Sequence, residues 1–422
     1  MPELNELHRY ARAIFDHALS SVDPRTAVKQ AINVNGPIVD IGEARLDVSS
    51  RNVYAIAIGK AARSMALGLE EALGRKLVAG VITAPEPFVS NRWQSFVGGH
   101  PLPDESSLEA AQATFALLDR ANAEAALVIF LISGGGSAML EWPISGDISL
   151  GDLRLANQLL VTCGARIAEI NSVRRAFSAV KGGGLARRAP RAQTFTLMVS
   201  DTNPGDEASV ASGPTLSPPP DAPDAIDVIE RYQLQDVLPR SILKAIEQSK
   251  PQRVTGTHQV LLDNWTAVQA AFAKARELGF AATTAQDICE QPIEEGCDLL
   301  LSRIMQTTCL ISGGEFSCPV RGHGLGGRNL ETALRCAIKL ERETEHFLLL
   351  SAGTDGIDGN SLAAGAIADE TTLKRARALG LDAHQFLERS DSYSFFQPLA
   401  DVIVTGPTGT NVRDIRIFLR SS

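Results

Sequence analysis

One local pattern recurs along this chain of 422 residues: a short apolar run, then a turn rich in Gly, Ser, Thr or Asp, then an amphipathic helix. Val53–Ile58 runs into Gly59-Lys60 and a helix, and Thr194–Val199 ends at Ser200-Asp201. Such alternation is typical of α/β proteins with largely parallel sheets, whose ligands bind beyond the carboxyl ends of the strands. The sequence therefore predicts an α/β fold with its polar motifs gathered at strand ends.

The length exceeds that of one ordinary hydrophobic core and predicts two domains. The most proline-dense segment, residues 212–223, is the predicted passage between them. We place an N-terminal α/β domain at residues 1–225 and a C-terminal α/β domain at residues 226–422.

Composition restricts the setting and the partners. Hydrophobic residues make up 44% of the chain and charged residues 21%. No apolar run reaches the roughly 18 residues of a membrane span, so we expect no membrane partner. The formal net charge of −9 argues against a nucleic-acid partner. The six cysteines include no CxxC pair, which indicates neither a zinc site nor a disulfide framework and favours the cytoplasm.

The same five residues, Leu-Ile-Ser-Gly-Gly, occur twice, at Leu131–Gly135 and at Leu310–Gly314. The first stretch continues into Gly136-Ser137 and the second into Glu315. Glycine permits positive φ and lets backbone N–H groups approach a phosphate closely. Two ordinary tight turns are the alternative. The occurrence of both stretches, with a charge beside the second, favours two glycine-rich segments that bind one anionic ligand.

Lys60 and Arg328 are cations at the predicted starts of helices, and both follow glycines. The helix dipole makes an N-terminus positive, so a cation there is disfavoured by roughly 0.3–1 kcal/mol unless an anion shares the site. A solvated side chain is the alternative for either residue alone. Taken together, the two cations indicate a phosphate clamp.

Four carboxylates, Asp201, Asp206, Asp355 and Asp358, lie in loops that follow predicted strands. Mg²⁺ is usually held by one or two carboxylates plus substrate phosphates, and Asp also serves as a base in phosphoryl transfer. Helix capping and turn formation are the alternative roles for each of them. Asp201 and Asp355 are the predicted metal ligands, and Glu315 belongs to the same class of loop carboxylates.

The segment Gly322–Gly327 matches GxGxxG, which binds dinucleotides where it follows a strand and opens a helix. The pattern by itself is weak, and no acidic ribose partner is clear. No Walker A pattern occurs in the sequence. The positive charge of Arg328 beside the segment suits a triphosphate.

Ten motifs follow one another in an order that is specific as a set. They are Ala57–Ala62, Gly99–Glu105, Ser133–Ser137, Asn171–Arg174, Lys181–Leu185, Ser200–Thr215, Ser312–Glu315, Gly326–Asn329, Ala352–Gly356 and Thr405–Asn411. This set resembles the glycerate 2-kinase family, whose C-terminal part is known as the MOFRL domain and whose members were often labelled hydroxypyruvate reductase. The likeness runs from Leu7 to Leu419.

The resemblance implies two α/β domains, one of them Rossmann-like, with the active site in the interdomain cleft and a MOFRL region at residues 305–419. It implies ATP-dependent phosphorylation of D-glycerate at the 2-hydroxyl, with Mg²⁺, to give 2-phosphoglycerate and ADP. The family's catalytic lysine and arginine fall on Lys60 and Arg328.

The predicted site combines these two cations with backbone N–H donors from the glycine segments. Arg174 or Lys181 pairs with the substrate carboxylate, and Asp201 or Asp355 holds Mg²⁺ or orients the 2-hydroxyl. The predicted substrate- and nucleotide-binding residues are Gly134, Gly135, Gly136, Ser137, Arg174, Lys181, Glu315, Gly324, Gly326, Gly327 and Asn411. An NAD(P)H-dependent hydroxypyruvate reductase and a non-catalytic nucleotide-binding sensor are the alternatives. A homodimer is left open.

Overall fold

The computed structural model describes residues 3–250, 253–254, 256–305, 307–342 and 347–420. No helix within these ranges is long and apolar enough to cross a membrane. The helices and strands up to residue 262 are, in chain order, α1 (Leu4–Ser21), α2 (Pro24–Ala31), β1 (Ile32–Asn35), β2 (Ile38–Ile41), β3 (Ala44–Asp47), β4 (Val53–Ile58), α3 (Ala62–Leu73), β5 (Leu77–Ala84), β6 (Trp93–Val97), α4 (Glu105–Ala123), β7 (Leu127–Ser133), α5 (Gly136–Met139), α6 (Leu150–Thr162), α7 (Ile167–Phe177), α8 (Gly184–Arg188), β8 (Gln193–Val199), α9 (Ala225–Arg231), α10 (Arg240–Gln248) and β9 (Thr257–Leu262).

The remaining elements begin directly after β9. They are α11 (Asn264–Glu277), β10 (Ala282–Ala285), α12 (Ile293–Ile304), β11 (Cys309–Gly314), α13 (Arg328–Lys339), β12 (Phe347–Gly353), β13 (Gly365–Asp369), α14 (Thr372–Ala378), α15 (Ala383–Glu388), α16 (Ser392–Phe396), β14 (Val402–Ile403) and β15 (Asp414–Arg420).

The chain divides into two compact units. The central unit is Pro24–Leu262, and the terminal unit combines Met1–Asp23 with Asp263–Ser422. This division differs from the predicted boundary after residue 225, because α9 and α10 pack on α7 and β9 pairs with β8. The proline-dense segment 212–223 is a connection within the central unit, where Leu185 donates its N–H to Pro214 O at 3.0 Å.

The central unit contains a six-stranded parallel sheet in the order β6-β5-β4-β7-β8-β9. The chain builds β4, β5 and β6 outward on one side, then β7, β8 and β9 on the other. This is the Rossmann order, with its reversal between β4 and β7. Every residue of β4 and β7 is buried, as expected for strands whose sheet is covered on both faces by helices. The predicted Rossmann-like fold is confirmed.

A three-stranded antiparallel sheet, β1-β2-β3, also belongs to the central unit. It was not predicted from the sequence, because its strands are only four residues long. The connections turn at Gly36 and Gly42, which have φ of 57° and 56°.

The terminal unit contains a mixed sheet in the order β10-β11-β15-β12-β13-β14. Among the described strands of this sheet, β10 and β11 pair in parallel and the other pairs are antiparallel, with β15 inserted between β11 and β12. The prediction of largely parallel sheets is therefore wrong for this unit. Helix α1 packs on α11, β12 and β15, so the first helix of the chain completes the core of the terminal unit.

Candidate active site

Lys60 and the first Leu-Ile-Ser-Gly-Gly stretch lie where the strand order of the central sheet reverses. Lys60 follows the end of β4, and Gly134 follows the end of the neighbouring β7. The N–H of Lys60 donates to Gly134 O at 2.9 Å, and the N–H of Ala61 donates to Ser133 Oγ at 3.0 Å. Sheets of this kind bind ligands at the reversal. The structure therefore brings the predicted Lys60 and glycine loop together at the expected position.

The loop glycines keep side chains away from this position. A Cβ at Gly134 would overlap the carboxylate of Asp201, and one at Gly135 would lie 3.1 Å from Lys60 Cγ. Gly135 has a φ of 80°, which favours glycine. Gly136 begins α5, and the N-cap residue Gly135 has no side chain that could satisfy the first N–H groups of this helix. A cation, a carboxylate and backbone N–H groups thus share one edge of the sheet.

A chain of hydrogen bonds leads from this loop into the interior. Ser137 Oγ lies 2.8 Å from Ser212 Oγ, which donates to Asn171 Oδ1 at 2.8 Å.

The sequence pattern predicts a turn at residues 171–174, but Asn171 lies within α7. That prediction is wrong because Ile170 and Val173 pack in the core, and such packing overrides the weak helix propensity of Asn and Ser.

Arg174 and Lys181, the two predicted partners of a substrate carboxylate, have different surroundings. Lys181 forms an ion pair with Glu141 in which both side chains are 1% exposed. Burial lowers the pKa of Lys181, and the carboxylate of Glu141 opposes that shift. Arg174 is half-buried and donates its Nε–H to Asn157 Oδ1 at 2.8 Å. Lys181 is therefore an interior cation neutralised by Glu141, whereas Arg174 has further N–H groups to offer.

In the terminal unit, Arg328 begins α13 and is held by two carboxylates. Its Nε donates to Asp414 Oδ2 at 2.6 Å, and its Nη2 lies 3.3 Å from Asp414 Oδ1 and 2.6 Å from Glu315 Oε1. Burial by itself would lower the pKa of Arg328, but Asp414 and Glu315 outweigh it, so the pKa is raised. Asp414 is 1% exposed, and it therefore fixes the orientation of the guanidinium.

The register of the terminal sheet explains why these charges meet. Asp414 begins β15 and pairs with Gly314 at the end of β11 and with Gly353 at the end of β12. Glu315 follows Gly314 directly, and Asp355 lies two residues beyond Gly353. The antiparallel insertion of β15 thus places its first carboxylate at the carboxyl ends of two strands.

The GxGxxG segment uses backbone N–H groups inside the protein. Gly324 donates its N–H to Arg389 O at 3.0 Å, and Gly326 donates its N–H to Asn360 Oδ1 at 2.9 Å. The structure therefore does not support the prediction that these glycines present their N–H groups to a phosphate.

Asp358 caps the helix that follows this segment. Its carboxyl oxygens accept the N–H groups of Asn329 (3.1 Å) and Leu330 (2.8 Å), and a Cβ at Gly327 would overlap it. Burial raises the pKa of Asp358 to about 7, against these backbone hydrogen bonds, which lower it. Helix capping, the alternative role for the loop carboxylates, is what the structure shows for Asp358.

The second Leu-Ile-Ser-Gly-Gly stretch is occupied from one side by Arg416. Its guanidinium donates to the carbonyl oxygens of Gly313 and Gly314 and to Ser312 Oγ, and it lies 3.8 Å from the ring centroid of Phe316. Arg416 is 1% exposed, and burial lowers its pKa to about 10. This stretch is therefore the buried end of a strand, and Glu315 follows it directly at the polar edge.

The predicted metal ligands Asp201 and Asp355 are single carboxylates in different units. The described residues contain no group of three or more His, Cys, Asp or Glu side chains that could hold a metal ion. Mg²⁺ that binds together with phosphates takes only one or two carboxylates, so each of the two carboxylates fits that kind of site. Asn411, the last predicted binding residue, is 8% exposed and its Oδ1 accepts the N–H of Arg413 at 3.2 Å.

Sequence reasoning missed Asp414, Arg416 and Ser212. A signal exists for the first two, because β15 places charges at alternate positions of an otherwise apolar strand. Buried charges need partners, so this alternation predicts an internal polar face. Ser212 lies within the Ser200–Thr215 motif, but it also begins the proline-dense segment that looks like a linker, so the sequence assigns it no role.

The fold and the two polar edges define a class: an α/β protein of Rossmann type that presents cations and backbone amides beyond its strand ends. Residues 10–247 match the family described as a domain of unknown function, DUF4147, and residues 308–414 match the MOFRL family. The second match agrees with the MOFRL region predicted from the sequence.

Named relatives align with nearly the whole length of this chain. A D-glycerate 2-kinase from Thermotoga maritima is 36% identical and covers 93% of this chain and 96% of its own length. A glycerate kinase from Homo sapiens is 32% identical over 98% and 93% of the two chains. A crystal structure of glycerate kinase from Thermotoga maritima superposes with a TM-score of 0.84 at 33% identity, over 99% of this chain and 100% of that one. The chain belongs to the glycerate 2-kinase family with a MOFRL domain.

Proposed function

We propose that this protein is an ATP-dependent kinase that phosphorylates D-glycerate at its 2-hydroxyl, giving 2-phosphoglycerate and ADP. The observation that carries the proposal is the contact of Lys60 with the first glycine loop at the reversal of a Rossmann-type sheet, where the N–H of Lys60 donates to Gly134 O. Phosphoryl transfer requires mainly that the reactants are positioned and that the charge of the phosphoryl group is neutralised. Lys60 and the glycine loop at this edge of the sheet can do both. The choice of D-glycerate as the substrate rests on the names of the relatives.

Lys60 is the proposed cation for the transferring phosphoryl group, whose charge is spread over its oxygens in the transition state. The N–H groups at the start of α5 are the proposed donors to phosphate oxygens, since preorganised backbone donors stabilise developing charge effectively. Asp201, which packs against Gly134, is one of the two carboxylates, with Asp355, proposed to hold Mg²⁺ or to orient the substrate hydroxyl.

Arg328 is the second proposed catalytic cation. Asp414 fixes its guanidinium through Nε, while Glu315, at 32% exposure, is the more accessible of its two carboxylate partners. We assign Glu315 as the group that an incoming phosphate displaces from Nη2.

Arg174 is the proposed partner of the substrate carboxylate in preference to Lys181. Lys181 is already neutralised by Glu141 in the interior, and separating a buried ion pair costs several kcal/mol (roughly 3–5). Arg174 uses only its Nε in the hydrogen bond to Asn157, and the guanidinium fork suits a carboxylate.

Asp201 and Asp355 are the proposed ligands of Mg²⁺, which when bound neutralises charge on the phosphates. The free state of all six cysteines supports a reducing compartment, and we propose a cytoplasmic protein.

A hydroxypyruvate reductase would need the GxGxxG segment as a dinucleotide loop. The N–H groups of Gly324 and Gly326 are bound to Arg389 and Asn360, which argues against that alternative.

The test is ³¹P NMR of the purified protein with ATP, Mg²⁺ and D-glycerate, beside an NADH absorbance trace with hydroxypyruvate. We expect a phosphomonoester signal assigned to 2-phosphoglycerate and a flat NADH trace. Falling NADH without ATP consumption would establish the reductase instead, and ATP binding without either reaction would establish the sensor.

Lys60→Ala and Arg328→Ala test the catalytic assignment. Each should lower kcat by about 10²–10³-fold, the usual cost of losing one charge-stabilising group. Lys60→Ala should leave the thermal unfolding midpoint nearly unchanged, whereas Arg328→Ala should lower it, because the buried Asp414 loses its ion-pair partner. Lys374→Ala, at an exposed position of α14, is the control and should leave kcat unchanged. Near-normal turnover in both variants would remove Lys60 and Arg328 from the mechanism.

A further inference from the structure

Asn171 ends the hydrogen-bond chain that starts at the first glycine loop. It is 1% exposed, its Oδ1 accepts from Ser212 Oγ, and Ser212 Oγ contacts Ser137 Oγ. A side-chain amide has two N–H donors besides its oxygen. Among the described residues, Asn171 Nδ2 has no acceptor. A buried donor without an acceptor opposes folding. A ligand bound next to the loop would supply the missing acceptor.

The backbone that holds Ser212 is strained. Ala211 and Ser212 have φ of 50° and 60°, in the left-handed region that residues other than glycine rarely adopt. Arg175 Nη2 donates to Ala208 O at 2.8 Å, and Gly182 donates its N–H to Ser212 O at 3.1 Å. Such strain persists only where surrounding contacts over-determine it, and it is common at functional sites.

Arg174 lies three residues after Asn171 on α7, so the two side chains are neighbours on one helix face. Its Nε donates to Asn157 Oδ1. Its Nη1 and Nη2 groups make no hydrogen bond or ion pair with the described residues. A guanidinium fork and an amide N–H₂ on the same face form a donor set for a carboxylate.

We infer that Asn171 binds the carboxylate of a small 2-hydroxy acid together with Arg174, and that Ser137 and Ser212 hold the amide in the orientation this requires. The inference rests on the proposed function and adds to it the residue that selects an acid over an uncharged polyol. Asn171 is a substrate-binding residue in this account, and Ser212 is a positioning residue that acts through it.

Asn171→Asp is the test, because it keeps the shape and the acceptor for Ser212 while replacing the N–H₂ donor by a carboxylate oxygen. We expect the KM for D-glycerate to rise by at least 30-fold, with the KM for ATP within twofold of the wild-type value. Ser172→Ala is the matched control: Ser172 is the next residue on α7, is 8% exposed and also has a hydroxyl without a partner among the described residues. It should leave both KM values within twofold.

The amide of D-glyceric acid serves as a second probe, since it lacks the carboxylate charge. In Asn171→Asp, kcat/KM for this amide relative to that for D-glycerate should rise at least 10-fold over the wild-type ratio. A role that is only structural would lower both values equally and leave the ratio unchanged.

The outcomes separate this inference from the proposed function. Wild-type protein that does not phosphorylate D-glycerate overturns the proposed function, and this inference with it. Wild-type turnover combined with an unchanged KM in Asn171→Asp overturns the inference alone. If Asn171→Asp does not fold, Asn171→Ser, which removes the amide donor and keeps a small polar side chain, is measured by the same two criteria.

Discussion

The two Leu-Ile-Ser-Gly-Gly stretches have the same sequence and different surroundings. The first ends β7 in a fully parallel sheet and continues into α5 beside Lys60. The second ends β11, is paired antiparallel with β15, and has its carbonyl groups bound by the buried Arg416. The first stretch lies at a polar edge beside a lysine, whereas the carbonyl groups of the second stretch accept hydrogen bonds from a buried arginine.

The difference shows that the same five residues can lie in different surroundings, because the neighbouring strands and side chains differ. At the first glycine of each stretch, a Cβ at Gly134 would overlap Asp201, and a Cβ at Gly313 would overlap Asn264. Asp201 lies in the proposed reaction site. Asn264 donates from Nδ2 to Val412 O and Asp414 O, which tie α11 to β15.

Arg416→Met is expected to have the largest effect, and on stability rather than on chemistry. It leaves the carbonyl groups of Gly313 and Gly314 without their donor, at roughly 1–3 kcal/mol for each buried unmatched group. Urea denaturation should show a free energy of unfolding lower by about 2–6 kcal/mol on that basis. Activity per folded molecule should stay within threefold. An unchanged urea midpoint would mean that Arg416 does not support the second stretch.

Gly134→Ala should act on chemistry rather than on stability. The new methyl group displaces the carboxylate of Asp201, so we expect kcat to fall about 10²-fold, which corresponds to about 2.7 kcal/mol. The displaced atom is the end of a side chain, so the thermal midpoint should change little. Gly146→Ala is the control, because a Cβ there meets nothing within 4 Å.

Gly313→Ala is the counterpart of Gly134→Ala in the second stretch. It displaces the amide of Asn264 and should lower the free energy of unfolding by about 1–3 kcal/mol, since buried polar groups lose their partners. Activity per folded molecule should be retained. If Gly313→Ala reduced kcat as much as Gly134→Ala does, the contrast between the two stretches would be wrong.

Asp414→Asn separates the orientation of Arg328 from its charge. The asparagine keeps one acceptor but loses the charge that fixes the guanidinium, so kcat should fall about 10-fold, or 1.4 kcal/mol. In an Arg328→Ala background the same substitution should have almost no further effect on kcat. Additive losses in this double-mutant cycle would show that Asp414 acts independently of Arg328.

Glu315→Gln should have the smallest effect, with the opposite sign. It removes the more accessible carboxylate that competes for Arg328 Nη2, and exposed ion pairs contribute about 0.2–1 kcal/mol. We expect the KM for ATP to fall about twofold to fivefold on that basis. A higher KM would indicate that Glu315 contacts the nucleotide rather than competing with it.

Much of the central unit could be predicted from the sequence, because parallel strands buried on both faces read as continuous apolar runs. Val53–Ile58 and the residues before Gly134 show this pattern. Lys60 and the glycine loop follow these two strands directly, so the sequence places both at strand ends. The terminal unit was harder to predict. β15 carries Asp414 and Arg416, and its place between β11 and β12 depends on contacts far apart in sequence.

The polar residues that directly follow a strand could be predicted from the sequence. The hydrogen-bond and ion-pair partners that tertiary packing brings together could not. The Lys181 motif gave no sign that Glu141, 40 residues earlier, would neutralise the ammonium group. The GxGxxG match likewise gave no sign that Asn360 and Arg389 would accept its N–H groups. In both cases the partner comes from a different part of the chain, and local spacing carries no information about it.

The position of β15 between β11 and β12 has a consequence for the order in which the protein forms during synthesis. All six strands of the central sheet precede residue 263, so that sheet can pair while the rest of the chain is still being made. The terminal sheet lacks its middle until residues 414–420 are synthesised, and α1 meets α11, β12 and β15 only after the central unit has been made. Domains generally fold as units in the order of synthesis. Helix α1 thus acquires its native contacts after the central unit has been made, and a nascent chain stalled before β15 would expose the facing edges of β11 and β12.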